Sequence, residues 1–451
     1  MKTMFTRLFS IAAVATLTLA AFTVKAQTNS TVLAAVPAAK TETKADAKTD
    51  AAATTEVKKA AEDTSWKPQR RIWGYVFGDL YYNAHADKTN RGGENMYNGV
   101  PQYRNAFQFR RIYLGYDYEI TKKFKVELLL ASEPNANTGV NGTTSIQNGD
   151  NLVDGKMAFW IKNANLRVRD LWNGTDLVIG EMATPGFALN EPGTNGPVSL
   201  SESTWSYRSI EKTITDIHKN NSYDLGAALQ GTFDPATKNY GYVFMVGNNS
   251  TSSLLSAANA NTGFYKIFYG DIWGKFANKK LYVDLYADYA RTSPATAAIP
   301  GQEHNMFKVF ASYQTKPITF GVEAYTQKFG YGVSKAGVPE NATAQGLSVW
   351  ARGAISKTLN YFARFDAYQP DTKFDQTASY TVNTNYGSYN PTVKENFYTI
   401  GLDYQPAKGV HFEPNVWLVD YKDNRNASTA GYVAPDHNLV FRATVYYVFG
   451  K

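Results

Sequence analysis

Residues 437–449 read HNLVFRATVYYVF. Leu439, Phe441, Ala443, Val445, Tyr447 and Phe449 fall on one parity. Asn438, Arg442, Thr444 and Tyr446 fall on the other, interrupted by Val440 and Val448. A repeat of two marks a β-strand with one apolar and one polar face, because successive side chains alternate across a strand. The length suits a strand that crosses a bilayer at a tilt, which takes about 9–11 residues. Aromatics at both ends of the apolar face suit the two membrane interfaces. An edge strand of a soluble sandwich has the same pattern, so the choice depends on the rest of the chain.

From Trp66 onward the pattern recurs about sixteen times, an even number of the kind bacterial barrels have. In residues 106–120, Ile112, Leu114, Tyr116 and Tyr118 oppose Arg111, Tyr113, Asp117 and Glu119. In residues 123–131, Phe124, Val126, Leu128 and Leu130 oppose Lys125 and Glu127. The connections alternate in length. Thr121-Lys122, residues 277–280, 315–317 and 356–358 are short; residues 84–105, 132–156 (rich in Asn and Gly), 183–221, 248–263, 291–305, 328–346, 369–396 and 422–436 are long. Short turns on one rim and long loops on the other are the rhythm of a transmembrane barrel. Greek-key sandwiches have no reason to keep it. The expected fold is all-β: a transmembrane antiparallel β-barrel of about 16 strands over residues 66–451.

Two segments precede the barrel. Residues 1–26 have a basic start (Lys2, Arg7), an apolar centre and a Val24-Lys25-Ala26 cleavage site, and read as a secretory signal peptide. Residues 27–65, built from Ala, Thr, Lys, Asp and Glu, contain no aromatic residue and cannot bury a core; they read as a low-complexity periplasmic leader. The chain has no cysteine, which excludes disulfides and thiolate metal sites. Its net charge is +7, or +4 once the signal's Lys2, Arg7 and Lys25 are subtracted, too small a balance to argue for nucleic acid. The aromatic content of 14% agrees with interfacial girdles.

In hydrocarbon a Lys or Arg on the outer wall costs about 2–4 kcal/mol at mid-depth. The charged parity must therefore face the lumen. That parity carries Arg111, Lys125, Arg167, Lys308, Arg352, Arg364 and Arg442, but also Asp117, Glu119, Glu127, Asp284, Asp288, Glu323, Asp366 and Glu413. A cationic channel favours anions; equally, these charges can pair across strands and stiffen the wall with little net selectivity. Residues 183–221 form the longest connection and contain Trp205 and Tyr207. The functional expectation is that this loop folds inward and places Arg208, Glu211 and Lys212 in a constriction; the alternative is an extracellular loop packed on its neighbours. Lumen aromatics such as Tyr113, Tyr282, Tyr286 and Trp350 fill space or offer a sliding surface to sugars.

An outer-membrane enzyme is the rival class. The five histidines are His85, His218, His304, His411 and His437, and the parity map puts none on an outer face beside a serine. No H-E-x-x-H, G-x-S-x-G or phosphate-loop pattern occurs, and no metal-ligand or cofactor motif is legible. A structural or adhesive barrel with a closed lumen is a third possibility.

Phe109-Arg110-Arg111-Ile112-Tyr113-Leu114-Gly115 resembles the F-R-R-x-x-L-G stretch of the phosphate-selective porin (O and P) family. Leu177 to Met182, followed by Pro185 and Phe187, is similar to that family's strand entering the third loop, and Tyr207-Arg208-Ser209 resembles its E-R-S element. The resemblance implies a sixteen-stranded, trimeric outer-membrane porin that passes small hydrophilic or anionic solutes by diffusion. Ala183 stands where the family has a lysine, Gly186 separates Pro185 from Phe187, and Tyr207 replaces a glutamate. These departures bear on phosphate selectivity and leave the porin architecture untouched.

Overall fold

The computed structural model describes residues 66–88, 97, 100–132, 152–153, 156–157, 159–186, 213–218, 222–248, 265–291, 303–382, 392–425, 428 and 432–450. Residues 1–26, expected to be a signal peptide, residues 27–65, expected to be a leader, and most of the 183–221 connection lie outside these residues.

Sixteen long strands follow one another: β1 (Arg70–His85), β2 (Asn105–Glu119), β3 (Phe124–Ser132), β4 (Trp160–Trp172), β5 (Thr175–Ala183), β6 (Tyr223–Thr232), β7 (Tyr240–Gly247) and β8 (Ile267–Phe276). The second half is β9 (Leu281–Arg291), β10 (Glu303–Gln314), β11 (Ile318–Lys335), β12 (Val338–Ala354), β13 (Leu359–Gln369), β14 (Val393–Ala407), β15 (Val410–Asp423) and β16 (His437–Phe449). Each pairs antiparallel with its neighbours in sequence. The ring closes where β16 pairs with β1, with Leu80 opposite Ala443 and Tyr82 opposite Phe441. Closure leaves no unpaired strand edge, the condition for a sheet to stand in hydrocarbon.

The burial pattern is the inverse of a soluble protein's. On β16, Asn438, Val440, Arg442, Thr444 and Tyr446 are buried, whereas Phe441, Ala443, Val445, Tyr447 and Phe449 are exposed. On β3, Lys125 and Glu127 are buried and Phe124 is exposed. An exposed belt that includes Phe107, Phe109, Phe244, Phe268, Phe320, Ile400 and Phe412 runs around the outside. Only lipid makes that arrangement favourable, because burial from water normally drives apolar groups inward.

One connection differs from expectation. Residues 328–346 were expected to form a long loop, yet they continue β11 and β12 as a hairpin that turns at Ala336-Gly337. Both turn residues have left-handed φ, +48° and +84°, the geometry whose twist matches the flanking strands. The register shifts between Phe329 and Val333, with Tyr331 at φ +52°, so an irregularity interrupts the alternation and hid the strand. A three-residue strand, Tyr380–Val382, pairs with the end of β11 and anchors the connection between β13 and β14.

Candidate functional site: the barrel lumen

The inner wall is assembled by strand parity, interrupted by bulges, among them one on β2 and one on β4. Phe77 of β1 faces Arg111 while its neighbour Gly78 faces Phe109, so Arg110 is the extra residue of a bulge. The bulge turns two consecutive arginines inward. Arg110 is fully buried, its Nε 3.4 Å from Asp79, and Arg111 donates to the Tyr113 hydroxyl at 2.6 Å.

The β1–β4 side is lined by cations held against carboxylates. Arg71 donates to Asp117 at 2.6 Å. Lys125 donates to Glu127 at 2.8 Å, and the same Glu127 oxygen lies 3.6 Å from Arg167. Arg167 also donates to Asp176 and Gln230, at 3.1 and 2.8 Å. The Lys162 ammonium stands over the rings of Tyr113, Trp160 and Tyr223, 5.0–5.4 Å from their centres, within cation–π range.

At the seam, Asp79 gathers partners from three segments: β16, the first long connection and β2. It accepts from Thr444 at 2.6 Å and from the Tyr97 hydroxyl at 3.0 Å, and it faces Arg110 and Arg442. Arg442 also donates to Asn415 at 2.8 Å and lies over Trp417, 3.9 Å from the ring centre. Tyr97 belongs to the first long connection, yet it is buried against Tyr81 and Trp417. That loop therefore reaches into the lumen.

Across the barrel, β8–β13 carry Asp271, Asp284, Asp288, Glu323 and Asp366, all buried on the inner wall. Arg364 forms a forked pair with Asp366, at 2.7–3.1 Å. The described parts of the 183–221 connection lie against this side. A helical turn, α1 (Ile214–Ile217), is capped by Thr213, whose hydroxyl accepts from the Asp216 amide. Ile214 is fully buried, Thr215 donates to Glu323 at 3.3 Å, and His218 stacks on Tyr368 with ring centres 3.5 Å apart. At the loop's entry, Lys308 donates to the Gly186 carbonyl at 2.5 Å. Glu323 and Tyr368 are lumen residues, so the connection runs inside the barrel at these points.

Among the residues expected in the site, Arg111, Lys125, Arg167, Arg364 and Arg442 face inward with the partners just described, and Arg352 follows the same parity on β12, opposite Thr319 and Phe362. Glu127 brings Lys125 and Arg167 together; the others are spread around the wall rather than gathered in one ring. Arg208, Glu211 and Lys212 lie outside the described residues. Sequence reasoning missed Arg110, because a bulge defeats a parity count, and Tyr97, because loop residues carry no periodicity. Asp79 was legible as a polar residue on inner parity; Lys162 was not, because it is the extra residue of a bulge on β4, where Leu129 faces Asn163 and Leu130 faces Ile161.

The histidines are engaged elsewhere. His411 contacts Asp403 at 2.9 Å, His304 contacts Gln327, and His218 packs on Tyr368. His85 and His437 stack on each other at the long-loop rim.

No protein-family model matches the chain, and no curated protein matches it. The likeness to the phosphate-selective porins thus rests on the short motifs quoted above. Solved structures do match in fold. The outer membrane channel DcaP of Acinetobacter baumannii aligns with a TM-score of 0.54 at 12% identity, covering 85% of this chain and 97% of that one. OmpT of Vibrio cholerae aligns at 0.49 and 11% identity, covering 85% and 98%. OmpF of Salmonella typhi, in complex with daunomycin, aligns at 0.49 and 11%, covering 84% and 97%. At such identities the likeness to DcaP is one of fold: this chain closes into a sixteen-stranded antiparallel β-barrel.

Proposed function

We propose that the protein is an outer-membrane porin, a water-filled channel through which small hydrophilic solutes diffuse. The observation that carries this reading is the inversion of burial: charged and amide side chains line the inside while Phe, Ile, Leu and Val coat the outside. A polar interior in a barrel of this size has no structural use that a packed apolar core would not serve better. Purified protein in planar bilayers should give discrete conductance steps, and proteoliposomes should swell in isosmotic sugar. Absence of both would leave the closed structural barrel as the better reading; lipase or protease activity would favour the enzyme.

A preference for anions, phosphate included, is the finer reading. Arg71, Arg110, Arg111, Lys125, Lys162, Arg167 and Arg442 all belong to β16 and β1–β4, and the carboxylates Asp271, Asp284, Asp288 and Glu323 face them from β8–β11. An anion has a side rich in cations to follow, although Asp79, Asp117 and Glu127 among them keep the preference modest. Reversal potentials across a salt gradient test it, and a cation-selective pore overturns it. The 183–221 loop is proposed as the constriction, with Arg208, Glu211 and Lys212 at its rim; deleting residues 192–205 should raise single-channel conductance. A homotrimer follows from the porin resemblance and is tested by migration of the unheated protein on a denaturing gel; export follows from the signal pattern of residues 1–26.

A further inference from the structure

The long-loop rim of the seam holds a cluster that diffusion through the barrel does not require. His85 ends β1, His437 begins β16, and Asp436 precedes it. His85 Nε2 lies 3.7 Å from Asp436 Oδ1, and His437 Nδ1 lies 3.3 Å from the same oxygen. The three ligand atoms all fall within 4.8 Å of one another. Ligands about 2.1 Å from a tetrahedral ion stand about 3.4 Å apart, so two edges of the triangle already have nearly the right length.

The surroundings also suit ligation. Nδ1–H of His85 donates to the His437 carbonyl at 2.8 Å, which fixes the tautomer and leaves the Nε2 lone pair facing Asp436. The His437 amide donates to Asp436 Oδ1 at 2.9 Å, and the Tyr421 amide donates to the Asp436 carbonyl at 3.0 Å; together they hold the carboxylate in place. The two rings stack 4.0 Å apart with 6° between planes, so one imidazole must turn before both in-plane lone pairs point at a single ion. All three residues are only partly buried, so an ion can reach them from the aqueous side. A second cluster, Asp403, His411 and Glu413, is different: both carboxylates are buried, His411 Nδ1 is already hydrogen-bonded to Asp403 at 2.9 Å, and Gln405 and Asn360 donate to that carboxylate's other oxygen.

We propose that His85, Asp436 and His437 bind a late first-row divalent cation, zinc above all, at the rim where the first and last strands meet. Two imidazoles and one carboxylate match the ligand preference of zinc and leave a fourth position for water or a solute group. The motif was invisible in the sequence because the two histidines are 352 residues apart.

Untagged full-length protein in detergent, titrated with zinc chloride by calorimetry, should bind one zinc per barrel. His85→Ala and His437→Ala should each weaken binding tenfold or more, while His411→Ala leaves it unchanged. Heat-modifiable gel migration confirms that each variant is folded. Magnesium, which prefers octahedral oxygen ligands, should not compete. Zinc binding that is undetectable, equal in wild type and both rim variants, lost only in His411→Ala, or displaced by magnesium would overturn the assignment.

Discussion

Arg442 and Asp79 meet across the closing seam of the barrel, with Nη1 of the guanidinium 3.6 Å from Oδ2 of the carboxylate. The pair joins the last strand to the first through their side chains, while the backbone ladder joins them through hydrogen bonds. It also places a charged cluster on the inner wall, so the element that completes the fold is at the same time part of the proposed permeation path.

Removing the Asp79 charge should therefore weaken closure. Asp79→Asn keeps the size but leaves Arg110 and Arg442 facing each other without a carboxylate between them. Uncompensated buried charge costs about 3 kcal/mol or more when one partner of such a pair is removed. The urea midpoint for unfolding from vesicles should fall, and the double variant D79N/R442Q should recover part of the loss. A D79N midpoint equal to wild type would mean that water solvates the cluster and the seam does not depend on it.

Tyr97 leads to a prediction about flow. Its ring lies edge-on to Tyr81 and Trp417, 5.0 and 5.4 Å away, and its hydroxyl donates to Asp79, so the first loop takes up lumen space. Tyr97→Ala should raise single-channel conductance, and Tyr97→Phe should not. Equal conductance in all three proteins would place the narrowest section elsewhere.

The strand list and the facing of each strand were legible because lipid outside and water inside enforce a strict period of two, as Phe441 and Arg442 show. The reading failed where one residue breaks the period. Arg110 points inward only because the bulge opposite Phe77 adds a residue, and residues 328–346 looked like a loop because Gly330, Tyr331 and Gly332 interrupt an otherwise regular hairpin. The contents of the lumen were the least legible part. Tyr97 and Ile214 reach the inner wall from long connections, where neither composition nor spacing records a destination.

Asp375, in the connection between β13 and β14, should make the fastening of that loop depend on pH. Its carboxyl accepts from the Thr377 hydroxyl at 2.7 Å and the Thr377 amide at 2.9 Å, and pairs with Lys335 at 3.0 Å. These contacts, those of Thr377 first, hold it below the ordinary carboxylate range. A depressed folded pKa contributes stability above the unfolded value, about 3.9, which is lost as pH falls through the folded value. Proteolysis of the loop should thus stay slow at neutral pH and accelerate only in strong acid, whereas Asp375→Asn should be cleaved faster already at pH ~7, well above that carboxylate range.

Two glycines with left-handed φ should respond differently to substitution. Gly180, at φ +128°, lies in the middle of β5, and a Cβ there would come within 2.3 Å of the Ala164 carbonyl oxygen and 2.9 Å of the Asn165 Cα on β4. Neither backbone atom can move without breaking the β4–β5 ladder. Gly337, at φ +84°, sits at the tip of the β11–β12 hairpin with nothing within 4 Å of an added Cβ. Asparagine enters the left-handed region readily, and valine does not. Gly180→Val should cost on the order of 3 kcal/mol or prevent assembly, combining steric conflict with backbone strain. Gly337→Asn should cost only a few tenths of a kcal/mol, since its strain is small and its space is open. Refolding yield into vesicles, followed by heat-modifiable migration, compares the two. Similar yields for both variants would show that β5 can relax its register at Gly180, and the close β4–β5 approach would then not be required for closure.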